Sequence, residues 1–440
     1  QMYRLTSIEK HHFFGFHDLC ISNNQGDKLL ALQVDEIDHP PRKNQQATIG
    51  FVDIESKRYI SIGQTSAWNF PQGARQQWLG DTNKFIVNDM VNNAWGSCLY
   101  DSETQEIIEK YDTPTHVVNS KLNLSFSINY SRLHRLGGYG YTGLVDNYAE
   151  DSAPSKDGIF KLNLETKKVE LLISIKTVSE FGVLTPSRRH HYITHLSLSP
   201  NGDRLAFLHR YRLNDGGEMT RLMTIGIDGS NLRCLIYGYL SHYDWKDDNS
   251  ILIWGRSNQT VANLRENFLL KRVFSSKLMK NLKPAVRRLL KQSKAMDMSF
   301  NLVKDSNEFS IKKIAENIIT SDGHPMVNPL NRDVMICDTY PNSDGIRTLM
   351  LYRFSTNTRV DLGDYKMIND KPSDGVVKEF STSIDPIIRD VFNAKEYSFA
   401  RSGLHCDLHP RWLANGKSIA FDSIHEGTRQ IYIENVENYI

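Results

Sequence analysis

The feature that most limits what this chain can fold into is a repeated unit: a polar turn followed at once by an apolar strand. It occurs at 22–32 (Ser-Asn-Asn-Gln-Gly-Asp-Lys-Leu-Leu-Ala-Leu), 78–87, 118–127, 198–207, 245–254 and 327–336, and last within 404–436. Most copies run on into a hairpin with a polar turn. In the last copy Asn415-Gly416 makes a tight turn. Positions 418–423 then alternate as a half-buried strand does, Glu426-Gly427 turns again, and 430–436 returns. A sheet of this size cannot bury both faces alone, so such units stack on one another. Two packed sheets are the alternative, but seven similar units favour a ring. The expectation is an all-β chain, a seven-bladed β-propeller forming one domain over 1–440.

One stretch breaks the pattern. Residues 264–298 lack β alternation, and Phe268, Leu269, Val273, Phe274, Leu278, Leu282, Val286, Leu289 and Leu290 fall at helical spacing. Pro284 kinks or divides the segment. Ten basic residues face one acid between Arg265 and Lys294. This predicts a basic helical insertion. Such a helix can lie on an anionic membrane or grip an acidic partner; the plainer reading is a solvated cap on the propeller.

Charge excludes some classes. Lys plus Arg (53) nearly balances Asp plus Glu (51), so nothing global points to nucleic acid. No apolar run is long enough to span a bilayer, and residues 1–20 lack the basic-then-apolar pattern of a leader. Five widely spaced cysteines argue against a disulfide framework. The expected location is the cytoplasm, peripheral to the inner membrane through 264–298, or outside the cell or in the periplasm if a leader preceded Gln1.

Polar residues gather where the units begin. His11, His12, His17 and Asp18 lie near the start; Gln72 and Arg75 precede the second unit; His190, His191 and His195 precede the fourth. His405, Cys406, Asp407, His409 and Arg411 form a dense cluster before the last. Two chemistries can use such a set. The first is metal binding. His242 and Asp244, two apart, share one face of a strand. His324 and Cys406 would approach from neighbouring blades, and a His/Asp/His/Cys set suits zinc. The plainer reading makes both histidines hydrogen-bonded channel residues and Cys406 a buried thiol.

The second chemistry is proton abstraction beside a carboxylate. Removing the C5 proton of a uronic acid needs a cation to neutralise the carboxylate, a base, and an acid for the leaving oxygen. Arg132-Leu-His134, Tyr139-Gly-Tyr141 and His195 with His209-Arg210 hold those residue types. Gly137, Gly138 and Gly140 would let their loop pass close to a ligand. The plainer reading makes the tyrosines wall residues and His209-Arg210 an inter-blade network.

Several stretches together resemble the seven-bladed β-propeller polysaccharide lyases, that is, the ulvan lyases and, more distantly, the oligogalacturonate lyases. The carrying segments are His11-His-Phe-Phe-Gly-Phe-His-Asp18, Ala67-Trp-Asn-Phe-Pro-Gln-Gly73, Tyr130-Ser-Arg-Leu-His134 with Gly138-Tyr-Gly-Tyr141, Phe207-Leu-His-Arg210, Ser241-His-Tyr-Asp-Trp245, Asp338-Thr-Tyr-Pro341, and Cys406-Asp-Leu-His-Pro-Arg-Trp412 with His425-Glu-Gly427. The resemblance implies a channel-mouth site for an acidic glycan, β-elimination by a His/Tyr pair, and a nearby zinc. It carries His134, Tyr139, His195 and Arg210 over as catalytic residues, with Tyr141 the alternative to Tyr139. Arg132, Tyr141, His209 and Arg75 become substrate contacts, and His242, Asp244, His324 and Cys406 metal ligands. Two departures stand out. Pro325 follows His324 where relatives often carry another polar or thiol residue, and the insertion is unusual for secreted lyases. The leading expectation is a lyase of uronate-containing oligo- or polysaccharides. The alternative is a non-catalytic glycan- or partner-binding propeller of surface-polysaccharide biosynthesis, docked to the membrane by its basic helix. No strand–Gly-loop–helix unit supports a nucleotide-sugar transferase.

Overall fold

The computed structural model describes residues 1–182, 190–212, 218–257, 298–389 and 392–440. The basic helical insertion expected at 264–298 lies, but for Met298, outside the described residues. Among these, no helix is long and apolar enough to cross a membrane. By its internal contacts the chain divides into two compact units. One comprises Gln1–Ala149, Asp157–Leu172 and Gly323–Ile440; the other comprises Glu150–Lys156 and Ile173–Asp322.

Strands dominate both units, and all pairings among them are antiparallel meanders. The first unit holds the four-stranded sheets His11–Phe13, Lys28–Val34, Ala47–Asp53, Arg58–Thr65, then Gln77–Trp78, Lys84–Val91, Ala94–Asp101, Ile107–Tyr111, and Met326–Val327, Val334–Asp338, Ile346–Arg353, Thr358–Lys366. A further sheet joins the chain ends: Arg411–Trp412, Ser418–Ser423 and Gln430–Asn435 are completed by the N-terminal strand Tyr3–Arg4. The sheet Val117–Asn119, Leu124–Ser127, Gly158–Asn163, Val169–Ser174 ends at the border of the second unit. In the second unit the sheet has seven strands, because Arg233–Asp247 serves twice. It pairs with Glu218–Gly226 through Arg233–Gly238 and with Ser250–Ser257 from Gly238 onward. All seven turn–strand copies read from the sequence form the second strand of a meander.

The polar turns form because their side chains satisfy the backbone that the strands leave behind. Asn415 Oδ1 accepts from the amides of Lys417 and Ser418, and Asn23 Oδ1 from those of Asp27 and Lys28. Tryptophans clasp successive meanders. Trp78 Nε1 donates to Ile21 O (3.0 Å), Trp245 Nε1 to Ser197 O (3.1 Å) and Trp412 Nε1 to Met326 O (2.9 Å). In each case the indole buries its rings and still finds an acceptor for its N–H. Apolar side chains between facing sheets form the core, with Leu30, Phe51, Phe85 and Ile433 in one cluster and Ile336, Leu351, Trp412 and Phe421 in another.

Candidate functional site

The densest convergence of chemistry-bearing side chains lies in the first unit, where the loop before Met326–Val327 and the loop before Arg411–Trp412 meet the Phe16-His17 turn. His324, Asp407 and His409 each offer a ligand atom here, all within 4.8 Å of one another. His324 Nε2 is 3.7 Å and His409 Nε2 3.5 Å from Asp407 Oδ2. The two imidazole rings meet edge to face at 4.3 Å, with His17 at 5.4 Å from His324 and 6.1 Å from His409.

Each imidazole is oriented through its other nitrogen. His324 Nδ1 lies 2.8 Å and 3.1 Å from the two oxygens of Asp338, and His409 Nδ1 lies 2.7 Å from Gly15 O. Those acceptors require protons on both Nδ1 atoms and turn both Nε2 atoms toward Asp407. A carboxylate or carbonyl behind each histidine is the usual support of a metal-binding imidazole. Glycine makes the approach feasible. A Cβ on Gly323 would meet Asp338 O at 1.8 Å, and one on Gly15, at φ +128°, would meet the backbone of Gln72 at 2.5 Å. His409 itself has φ 41°, a left-handed conformation that a non-glycine residue holds only when its surroundings impose it.

Electrostatics match this arrangement. Burial would raise the Asp407 carboxyl, but Arg347 at 2.7 Å and the surrounding imidazoles hold it well below the usual carboxylate range. Burial pushes His409 down to about 4, against the pull of Asp407 and Asp338. Asp338 likewise stays ionised: burial opposes the charge, while His324 and Arg347 favour it. The group therefore presents the imidazoles of His324 and His409, the latter neutral at neutral pH, and one carboxylate. That donor set fits a divalent cation of the zinc or manganese type.

The residues named from the sequence fall as follows. His324 is in this group. Cys406 is buried in the apolar cluster with Leu404, Leu413 and Ile431, its thiol pushed up to about 11 chiefly by burial. His242 and Asp244 lie in the second unit, where His242 Nδ1 sits 3.1 Å from Asp322 Oδ1 and Asp244 accepts from the amide of Trp245. Arg75 is fully buried. It makes a bidentate pair with Asp18 at 2.8 Å and donates twice more to His116 O. Arg132 is buried too, reaching Asp146 and Tyr148 O. Tyr141 is wholly enclosed, stacked on Tyr130 at 4.3 Å, and its hydroxyl accepts from Asn88. Tyr139 is partly exposed, its ring 5.4 Å from the Arg401 guanidinium. His134 lines a cleft with Gly138 and Gly140. In the second unit His209 bridges His191 (2.9 Å) and Arg221 (3.1 Å). Arg210 faces Glu218 at 3.7 Å. His195 sits at a bulge in His191–Leu198 with φ 55°, Thr194 Oγ1 at 3.0 Å from its Nδ1.

Asp407, His409 and Asp338 carry no role in the reading from sequence. The signal for the first two was present in Leu404-His-Cys-Asp-Leu-His409. Leu404, Cys406 and Leu408 enter apolar clusters, and the residues between them turn to the polar side.

The antiparallel meanders give the chain a fold like that of the β-propellers. Comparison with solved structures gives particular likenesses. The chain is similar to the oligogalacturonate lyase of Vibrio parahaemolyticus (TM-score 0.60, 14% identity, covering 100% of this chain and 94% of that one). It is also similar to an oligogalacturonate lyase in complex with manganese (TM-score 0.59, 13% identity, covering 99% and 93%). No protein-family model and no curated protein sequence matches.

Proposed function

We propose that this protein is a divalent-cation-dependent lyase of acidic oligosaccharides, built as a seven-bladed propeller if Arg233–Asp247 counts in two blades. One observation carries the reading: the Nε2 atoms of His324 and His409 face one oxygen of Asp407, with both Nδ1 atoms engaged from behind. The similarity in fold to an oligogalacturonate lyase that binds manganese supports both the cation and the uronate class.

When bound, the cation would supply a Lewis acid that draws charge from the uronate carboxylate and so acidifies the C5–H beside it. The chain's own residues do the rest. His324, Asp407 and His409 hold the ion, Asp338 and Gly15 O fix the rings, and Arg347 keeps Asp407 ionised. Tyr340, exposed and 5.8 Å from the His324 ring, offers an aromatic face on which a sugar can lie. In the elimination a base takes the C5 proton. The electron pair forms the C4–C5 double bond, and the C4–O bond breaks to a leaving oxygen that takes a proton from an acid. Within the first unit, His134 and Tyr139 are the proposed proton-handling residues. His134 is kept neutral, burial and then Arg401 pushing it down to about 4, as a base must be.

The test is near-ultraviolet absorbance of the unsaturated product from oligogalacturonate, on protein stripped of cations and then reloaded with manganese or zinc. The reading predicts product only after reloading, and none in His409→Ala or Asp407→Asn. Cleavage that persists in both variants would refute the assignment of the cation site. Binding of oligogalacturonate with no product under any cation would move the protein to the class of non-catalytic glycan binders.

A further inference from the structure

A second feature of the first unit shares none of the proposed cation ligands, though it includes His134 and Tyr139. A cleft opens between the Pro40–Lys43 loop, the turn at Asn69 and Pro71, the helix Tyr130–Gly137, and the helices Asp374–Ser381 and Ala394–Ala400. Its charged lining is lopsided. Arg42 spends its charge on Glu379, Nε at 2.7 Å and Nη2 at 3.0 Å from the two carboxylate oxygens. That leaves Lys43 and Arg401 as lining cations with no acidic partner among the described residues.

Arg401 is held for recognition rather than for an ion pair. Tyr139 and Phe392 pack on its guanidinium at 5.4 Å and 5.0 Å, and Nη2 donates to Gly137 O at 3.1 Å. Its Nε is buried and has no hydrogen-bond partner among the described residues. Fixing a guanidinium by aromatic rings while leaving donors unused lowers the cost of ordering it when an anion arrives. His134 lines the same cleft, and among the described residues nothing hydrogen-bonds to its ring. A neutral imidazole beside an arginine gives one uncharged hydrogen-bonding group next to one charged fork. A carboxylate flanked by hydroxyls needs that combination, and a bare phosphate does not.

We infer that this cleft binds the carboxylate of a uronate residue, with Arg401 as its charge partner and His134 hydrogen-bonding a neighbouring hydroxyl. The inference rests on the acidic-saccharide reading above, but it assigns a sugar subsite that needs no cation.

The experiment is calorimetric titration of cation-stripped protein, in excess chelator, with trigalacturonate, with the neutral trigalactose, and with acetate. Trigalacturonate should bind, trigalactose should bind at least tenfold more weakly, and acetate should not compete at equal concentration. Losing a charge-assisted hydrogen-bond pair should weaken trigalacturonate about 10- to 100-fold in Arg401→Gln. Arg401→Lys, which keeps the charge but loses the fork, should fall between. It also guards against a folding defect, since both variants are melted alongside wild type. Equal affinity of wild type and Arg401→Gln, or equal affinity for trigalactose, would overturn the inference. The lyase reading is scored separately. Manganese-dependent product formation without chelator-insensitive binding would leave the lyase and remove the subsite, and the converse would leave the subsite and remove the lyase.

Discussion

Replacing Asp338 by asparagine tests the cation site without touching a proposed ligand. The Asp338 carboxylate accepts from His324 Nδ1 at 2.8 Å and 3.1 Å, from the His324 amide at 2.7 Å and from the His409 amide at 3.3 Å. Its two oxygens therefore fix one ring directly and the backbone of both proposed ligands. Asparagine keeps one acceptor. If its oxygen stays with His324, its NH2 faces the His409 amide, donor against donor; the flipped amide faces two His324 donors instead. Either way His324 loses the carboxylate that sets its tautomer and raises its basicity. Loss of such a support typically weakens metal binding 10- to 100-fold, or about 1.4–2.7 kcal/mol. The assay is a manganese titration of stripped protein followed by calorimetry, with thermal melts to show that the fold persists. Affinity within a factor of two of wild type, in a folded Asp338→Asn protein, would refute the argument that Asp338 orients a ligand.

Four further outcomes follow from the same geometry. Cys406→Ala should cost about 1 kcal/mol of stability by urea denaturation, from lost core packing, while manganese affinity stays at the wild-type value. A large loss of affinity would return the thiol to the ligand set. Gly323→Ala forces a Cβ into Asp338 O and should destabilise by about 1–3 kcal/mol, read as a lowered melting temperature; an unchanged melt would show that the loop relaxes. Asp18→Asn strands the buried Arg75 guanidinium and should cost about 3–5 kcal/mol, whereas a loss under 1 kcal/mol would mean that the His116 carbonyl alone satisfies it. His134 is depressed to about 4 in the fold by burial and by Arg401, but titrates near 6.5 in the unfolded chain. Between those values only the unfolded chain takes up its proton, so stability falls as pH drops from about 6.5 to 4, by up to about 1.4 kcal/mol per unit for this group. His134→Gln should flatten that slope in urea denaturations at pH 7, 5.5 and 4.5; an identical slope would mean that the ring protonates freely in the folded protein.

Local chemistry makes the meanders legible in the sequence. Each copy pairs an Asn, Asp or Gly turn with an apolar strand, and the turns satisfy their own backbone through side chains such as Asn23 and Asn415. Those interactions span five residues or fewer, so the residues that make them stand side by side in the chain. The clasp between meanders has no such local mark. Trp245 Nε1 reaches a carbonyl 48 positions away and Trp412 one 86 positions away, and nothing at either position names its partner. The same limit hides the double use of Arg233–Asp247, where Gly238 ends the pairing with one partner and begins that with the next.

The cation site is half legible, and the reason is parity. From Leu404 to His409 the chain alternates between core and polar sides. The apolar set takes Leu404, Cys406 and Leu408, and the polar set takes His405, Asp407 and His409. Ranking residue types by their affinity for zinc draws attention to Cys406; ranking positions by the side they share draws it to Asp407 and His409. The difference bears on which ion is expected. A thiolate in the set would favour soft, thiophilic ions, whereas two imidazoles and one carboxylate also admit harder ions such as manganese. The identity of the proposed metal thus turns on which way one peptide segment faces. Loading stripped wild type and Cys406→Ala with zinc and manganese in competition reads this directly. Unaltered preference between the two ions in the variant is the result required by a thiol in the core, and a shift toward manganese would mean that the thiol had been holding zinc.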